Sequence, residues 1–104
     1  MSNFKEHVRG AIASNVIANY LMSKGYEVIK EGTSQGLVDI VAINTKTGKT
    51  YFVDCKCLSR RANGTRVNRV LKQAQKDLSS ASGIDFILAY ADTDTNEVEI
   101  PKLT

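Results

Sequence analysis

Proline, histidine and cysteine are scarce in this 104-residue chain, which has one, one and two of them. Each scarcity excludes something. A single proline, with 42% hydrophobic and 24% charged residues, is the composition of neither a collagen-like nor a disordered chain. Cys55 and Cys57 stand two apart in a strand-like run, so they point the same way and lack the geometry for a mutual disulfide. His7 is the only histidine, and a zinc site wants four Cys or His ligands, so the cysteines read as small buried hydrophobes. Apolar runs such as residues 38–43 fall far short of the roughly 18 residues that mark a membrane span. The first residues, Met-Ser-Asn-Phe-Lys-Glu-His, carry no apolar signal core. The expectation is a cytoplasmic protein without membrane contact. No glycine-rich fingerprint joins a strand to a helix, which excludes a phosphate-cradling nucleotide enzyme. This length leaves room for one core, so residues 1–104 are expected to form a single domain.

Charge, by contrast, is plentiful and uneven. Residues 1–76 carry 13 basic and 5 acidic side chains, whereas residues 77–104 carry 1 and 6. From Lys56 to Lys76 there are seven basic residues and no acid. Such a field suits a polyanion, and Arg60, Arg61, Arg66, Arg69 and Lys76 are its candidate phosphate contacts.

Periodicity orders the elements. Val8, Ala11, Ile12, Val16, Tyr20 and Leu21 recur at three- and four-residue spacings, predicting a helix over 5–24 that stops at Gly25. Tyr26 to Lys30 and Leu37 to Asn44 read as strands flanking a turn cluster. Thr45 to Lys49 is the next turn, leading by a hairpin into a strand over 51–58. Val67, Val70, Leu71, Ala74, Leu78 and Ala81 predict a second amphipathic helix ended by Ser82-Gly83, with Arg66, Arg69 and Lys76 largely off its apolar stripe. Residues 84–91 and 97–100 complete an αβββαββ order, an α/β fold with a mixed sheet flanked by helices.

Two charged clusters interrupt apolar strands. Asp54 and Lys56 are two apart in Phe-Val-Asp-Cys-Lys and so project from one face. Asp39 lies inside Leu-Val-Asp-Ile-Val, and an antiparallel hairpin can bring it beside Asp54, because neighbouring strands lie about 4.8 Å apart. Charges in such runs are expensive to bury unless paired or used to bind a ligand. Two carboxylates and a lysine at one place suit phosphodiester hydrolysis: Asp39 and Asp54 as Mg²⁺ ligands, with Mn²⁺ as the substitute cation, and Lys56 to orient or deprotonate water or offset charge on the phosphorus.

The pattern Gly36-Leu-Val-Asp-Ile-Val-Ala42 followed by Tyr51-Phe-Val-Asp-Cys-Lys56 resembles the PD-(D/E)xK nuclease superfamily. Within it the chain is most similar to archaeal-type Holliday-junction resolvases and small phage and intron-associated endonucleases. The segment from Arg9 to Tyr26 resembles their first helix. The resemblance implies a restriction-endonuclease-like αβββαβ core, with Asp39 and Asp54 as metal ligands and Lys56 as the catalytic lysine. It further implies that Lys30 and Ser34 contact DNA. Val38 replaces the motif's proline. Ser14 stands where those relatives carry a metal-binding helix glutamate, and Glu6, two turns earlier, is a candidate substitute. The expected function is therefore a Mg²⁺-dependent DNA endonuclease acting on branched or duplex DNA, with a junction resolvase as its narrower form. The alternative is a catalytically impaired DNA-binding module of the same fold. A junction needs two symmetric cuts, so a homodimer is expected.

Overall fold

A computed structural model describes residues 2–30 and 36–103, with residues 2–7 by backbone alone. Helix α1 (Ser2–Ser23) leads into strands β1 (Tyr26–Lys30), β2 (Ile40–Asn44) and β3 (Thr50–Cys57), then α2 (Gln73–Ser82), β4 (Asp85–Ala91) and β5 (Val98–Glu99). This is the predicted αβββαββ order, in one five-stranded sheet ordered β1-β2-β3-β4-β5. Pairing is antiparallel throughout except between β3 and β4, which run parallel because the connection through α2 crosses over.

Helix α1 ends where Gly25 adopts a φ of +92°, a left-handed conformation costly for any residue with a Cβ, and donates its N–H to the Met22 carbonyl. The helix packs across β1, β3 and β4. It buries Ala13, Ile17, Ala18 and Leu21 against Ile40, Ala42, Val53, Ile87 and Ala89. Each fully buried Ile, Leu or Val here contributes about 1.5–3 kcal/mol. The predicted stripe holds in its C-terminal half, where Leu21 is buried and Val16 packs against the core, whereas Val8 and Ile12 are 42% and 40% exposed and Ala11 is exposed too. Two alanines occupy the true inner face, and small side chains let the helix approach the sheet closely, which a count of bulky residues overlooks.

The hairpin joining β2 to β3 is shaped by Asn44, whose Oδ1 accepts the N–H groups of Lys46 and Thr47. That Asx arrangement, closed by a hydrogen bond from Gly48 N to Asn44 O, sets the register Ile40↔Val53 and Ala42↔Tyr51.

The second helix departs most from expectation, beginning at Gln73 rather than near Arg66. Residues 58–72 instead form a looped excursion, in which Arg60 and Arg66 make an isolated antiparallel bridge and the Val67 N–H bonds the Ser59 carbonyl. Val67 and Val70 are β-branched and helix-averse, and long-range bonds to the sheet outcompete the weak local periodicity. Val70 is left 81% exposed. Ala74 and Ala81 are exposed as well, while Gln75 is the buried residue of the helix. No helix among the described residues is long and apolar enough to cross a membrane.

Candidate active site

Strand alternation divides β3 between two faces. Tyr51, Val53, Cys55 and Cys57 pack with the core beneath α1, so Phe52, Asp54 and Lys56 project from the opposite face. The register places Asp54 beside Leu88 and Lys56 beside Tyr90 on β4. Extending the pairing Ile40↔Val53 by one residue sets Asp39 across from Asp54.

Asp39 sits just before β2, where the ladder ends. Its N–H still bonds the Val53 carbonyl at 3.0 Å, and its Oδ2 accepts the Cys55 N–H at 2.7 Å. The carboxylate thus stands in for a strand carbonyl and is locked in place by backbone. Its side chain stands across the ladder from that of Asp54, which is only 7% exposed. Lys56 Nζ lies 3.3 Å from Asp54 Oδ2. Burial raises the Asp39 carboxyl above its ordinary value. The Cys55 N–H bond opposes that rise, Asp54 adds to it by its charge, and Lys56 offsets part of it. Two carboxylates facing each other in a partly buried place, where burial disfavours the ionised form of Asp39, are an arrangement that a divalent cation relieves. Their hard oxygen donors fit Mg²⁺, which commonly takes one or two carboxylates and keeps several waters. The described residues hold no cluster of three or more His, Cys, Asp or Glu side chains able to bind a metal.

The sequence-predicted residues fall into groups. Asp39, Asp54 and Lys56 converge. Lys30 ends β1, paired with Ile40, and its Nζ donates to Asn15 Oδ1 on α1. Ser14, the residue before Asn15, lies against the side chain of Cys55, the residue between Asp54 and Lys56, whose thiol burial pushes far up. Ser14 therefore meets β3 from the α1 side and not on the face of Asp54. Ser34 and the side chain of Glu6 lie outside the described residues.

The basic helix face predicted beside a basic loop forms only in part, with Lys76 on α2. Arg66 and Arg69 precede α2. Arg60 Nη2 is 2.6 Å from Glu99 and 3.2 Å from Glu97, and Arg66 Nη1 is 2.5 Å from Glu99. The acids of the C-terminal stretch thereby neutralise two of the arginines. Hydrogen bonds from Arg60, with those from Arg66 behind them, hold the Glu99 carboxyl below its ordinary range. The Arg66 guanidinium also stacks 4.8 Å over the Tyr90 ring. Arg61 donates to the Arg66 carbonyl. Arg69 and Lys76 have no ion-pair partner among the described residues.

One organising residue escaped the sequence reading as a site component. Gln75 is 4% exposed. Its Nε2 donates to the Leu37 carbonyl at 3.0 Å and its Oε1 accepts the Lys72 N–H at 2.8 Å. It thus ties the start of α2 to the backbone two residues before Asp39. Nothing local distinguishes it from Gln73, because its role depends on a contact 38 residues away.

No curated protein matches the chain. The model of Uncharacterised protein family UPF0102 matches residues 13–92, a stretch that takes in the inner face of α1, the carboxylate pair, Lys56, Gln75 and all of β4. With most of its length so matched, the chain belongs to UPF0102, a family of the PD-(D/E)xK nuclease superfamily.

Proposed function

We propose that this protein is a metal-dependent DNA endonuclease that hydrolyses phosphodiester bonds. The observation that carries the reading is the register that sets Asp39 across from Asp54, with Lys56 Nζ 3.3 Å from Asp54, in a chain of a nuclease superfamily. Asp39 and Asp54 would hold the divalent cation, Mg²⁺ or Mn²⁺. When bound there it supplies Lewis acidity and charge neutralisation at the scissile phosphate. Lys56 is close enough to the carboxylates to orient a water toward that phosphate or to stabilise negative charge gathering on it. Cys55 N–H fixes the Asp39 carboxylate, so little reorganisation is needed as the site fills. Arg69 and Lys76, without an ion-pair partner among the described residues, and Arg61 would supply the DNA-facing charge, whereas Lys30 is held to Asn15 on the α1 side.

Branched DNA is the proposed substrate, with the protein acting as a junction resolvase and a homodimer. The test is incubation with supercoiled plasmid, linear duplex and a synthetic four-way junction, with and without Mg²⁺. Mg²⁺-dependent cleavage confined to the junction is the expected result. Mg²⁺-dependent cleavage of all three would keep the nuclease and remove the resolvase. A second reading, a DNA-binding module of impaired activity, is favoured because Ser14 lies against Cys55 on the α1 side and adds no carboxylate beside Asp54. That reading expects binding to the junction without cleavage at any Mg²⁺ concentration.

A further inference from the structure

On the sheet face that bears Asp54 and Lys56, the loop before α2 arches over β4 and leaves a cavity of about 390 Å³. That is a volume typical of small-molecule sites. Its floor and walls are apolar, formed by Leu71, Phe86, Leu88 and Tyr90, with Val70 at the mouth. Its charged lining is all of one sign: Arg66, Arg69, Lys76 and Lys102, with no acid. Arg66 is spent on Glu99. Arg69, Lys76 and Lys102 have no ion-pair partner among the described residues. Lys102 is the single basic residue of 77–104, and the fold returns it to join the cations of the central segment.

A bare phosphate would use the rim and leave the apolar floor unused. An apolar ligand would use the floor and leave three cations uncompensated. A second copy docked by a two-fold axis would set these cations against themselves. A flat ring joined to phosphates satisfies both parts. The floor residues Leu88 and Tyr90 are the register neighbours of Asp54 and Lys56, so a chain lying across the carboxylates can reach the cavity within a few ångströms of strand spacing.

We propose that this cavity takes an unstacked nucleobase of the DNA strand, with the flanking phosphates on Arg69, Lys76 and Lys102. The choice of DNA as the source rests on the nuclease reading of the neighbouring site. The occupant deepens that reading by requiring a single-stranded or branched segment, since a base held in a duplex stack cannot enter. Exposed Val70 then becomes a contact surface rather than a misplaced core residue. Apolar contact with a base face tolerates every base, so the cavity selects DNA structure and not sequence.

The test uses the full chain without divalent cation, so that nothing is cut. A labelled single-stranded 15-mer is compared by fluorescence anisotropy with a 15-mer of the same phosphates whose central nucleotides are abasic. Wild-type protein should bind the intact strand about tenfold or more tightly, in line with the worth of base contacts. The variant Val70→Ser/Leu71→Ser, its fold checked by circular dichroism, should bind both strands alike, and the single variant Val70→Ser should lose part of the difference. Lys102→Ala should weaken binding to both strands by the same factor. Equal binding of intact and abasic strands by wild type would overturn the proposal, as would base discrimination retained in the double variant. Loss of a wild-type dimer in Val70→Ser would also overturn it, assigning the face to a second copy. Base-dependent binding without cleavage of any DNA in Mg²⁺ would sink the nuclease reading alone. Mg²⁺-dependent cleavage without base-dependent binding would sink this one alone.

Discussion

At the residue scale, two carboxylates with opposite shifts give opposite pH behaviour. The Asp39 carboxyl is raised by burial and by Asp54, so its ionised form costs stability above the folded-state value, and protonation recovers that stability as the pH falls. Asp39→Asn keeps an oxygen for the Cys55 N–H and removes the charge. It should melt higher than wild type at pH 7, with the gain shrinking as the pH is lowered through the range where Asp39 takes its proton. Glu99 is lowered by Arg60 and Arg66, so its contribution is present above the ordinary carboxylate range and is lost as the pH falls below it. Glu99→Gln should flatten the acid limb of the stability profile, read by denaturant unfolding between pH 7 and 3. The catalytic roles separate by substitution as well. Asp54→Asn should weaken Mg²⁺ binding and cleavage together. Lys56→Ala should leave Mg²⁺ and junction affinity largely intact while slowing cleavage about 100-fold or more, measured in single-turnover reactions.

At the element scale, the strands of the meander and both helix stops were legible because local chemistry decides them. Gly25 and Gly83 end their helices with φ of +92° and +73°, and the apolar runs of β2 and β3 bracket an Asx turn. Asp39, Asp54 and Lys56 could be placed together from the same information, since a hairpin relates them. The beginning of α2 could not. The spacing of Val67, Val70 and Leu71 is helical, yet the Arg69 N–H bonds the Tyr90 hydroxyl at 2.9 Å and Arg66 bonds Glu99. Such partners, more than twenty residues distant, leave no local trace. Gln75 belongs to the same class of hidden contact. Gln75→Ala strands the Leu37 carbonyl and the Lys72 N–H, and should cost about 1–3 kcal/mol in denaturant unfolding. It should also lower Mg²⁺ affinity by loosening the backbone that presents Asp39. Gln73→Ala, an exposed residue whose amide reaches only Asp77, serves as the neutral control.

Whole-molecule behaviour follows from where the sheet stops. Its two edges are unequal, β1 offering five residues and β5 only two, and Ile29 on β1 is 53% exposed. Among the described residues no strand lies outside β1, and an edge of that length can take a partner strand. If the protein resolves junctions as a symmetric pair, light scattering should give twice 11.4 kDa, and Ile29→Lys should return it to the monomer while leaving the fold intact. A monomeric wild type would remove the resolvase and leave the endonuclease.

The hairpin also dictates the order in which the molecule is built. Asp39 and Cys55 are 16 residues apart and meet as soon as β2 and β3 zip, a short loop closure. The parallel partner β4 must wait for the whole crossover, a slower kind of contact. The folding chain therefore brings the two carboxylates together early, while water still screens them, and the burial that raises Asp39 follows as the rest of the sheet closes over the pair. Divalent cations should then act on the rate of refolding and not only on the stability of the finished protein. In stopped-flow refolding, Mg²⁺ should accelerate the wild-type chain and leave Asp39→Asn unmoved, making the carboxylate pair a brake on folding that its own ligand releases.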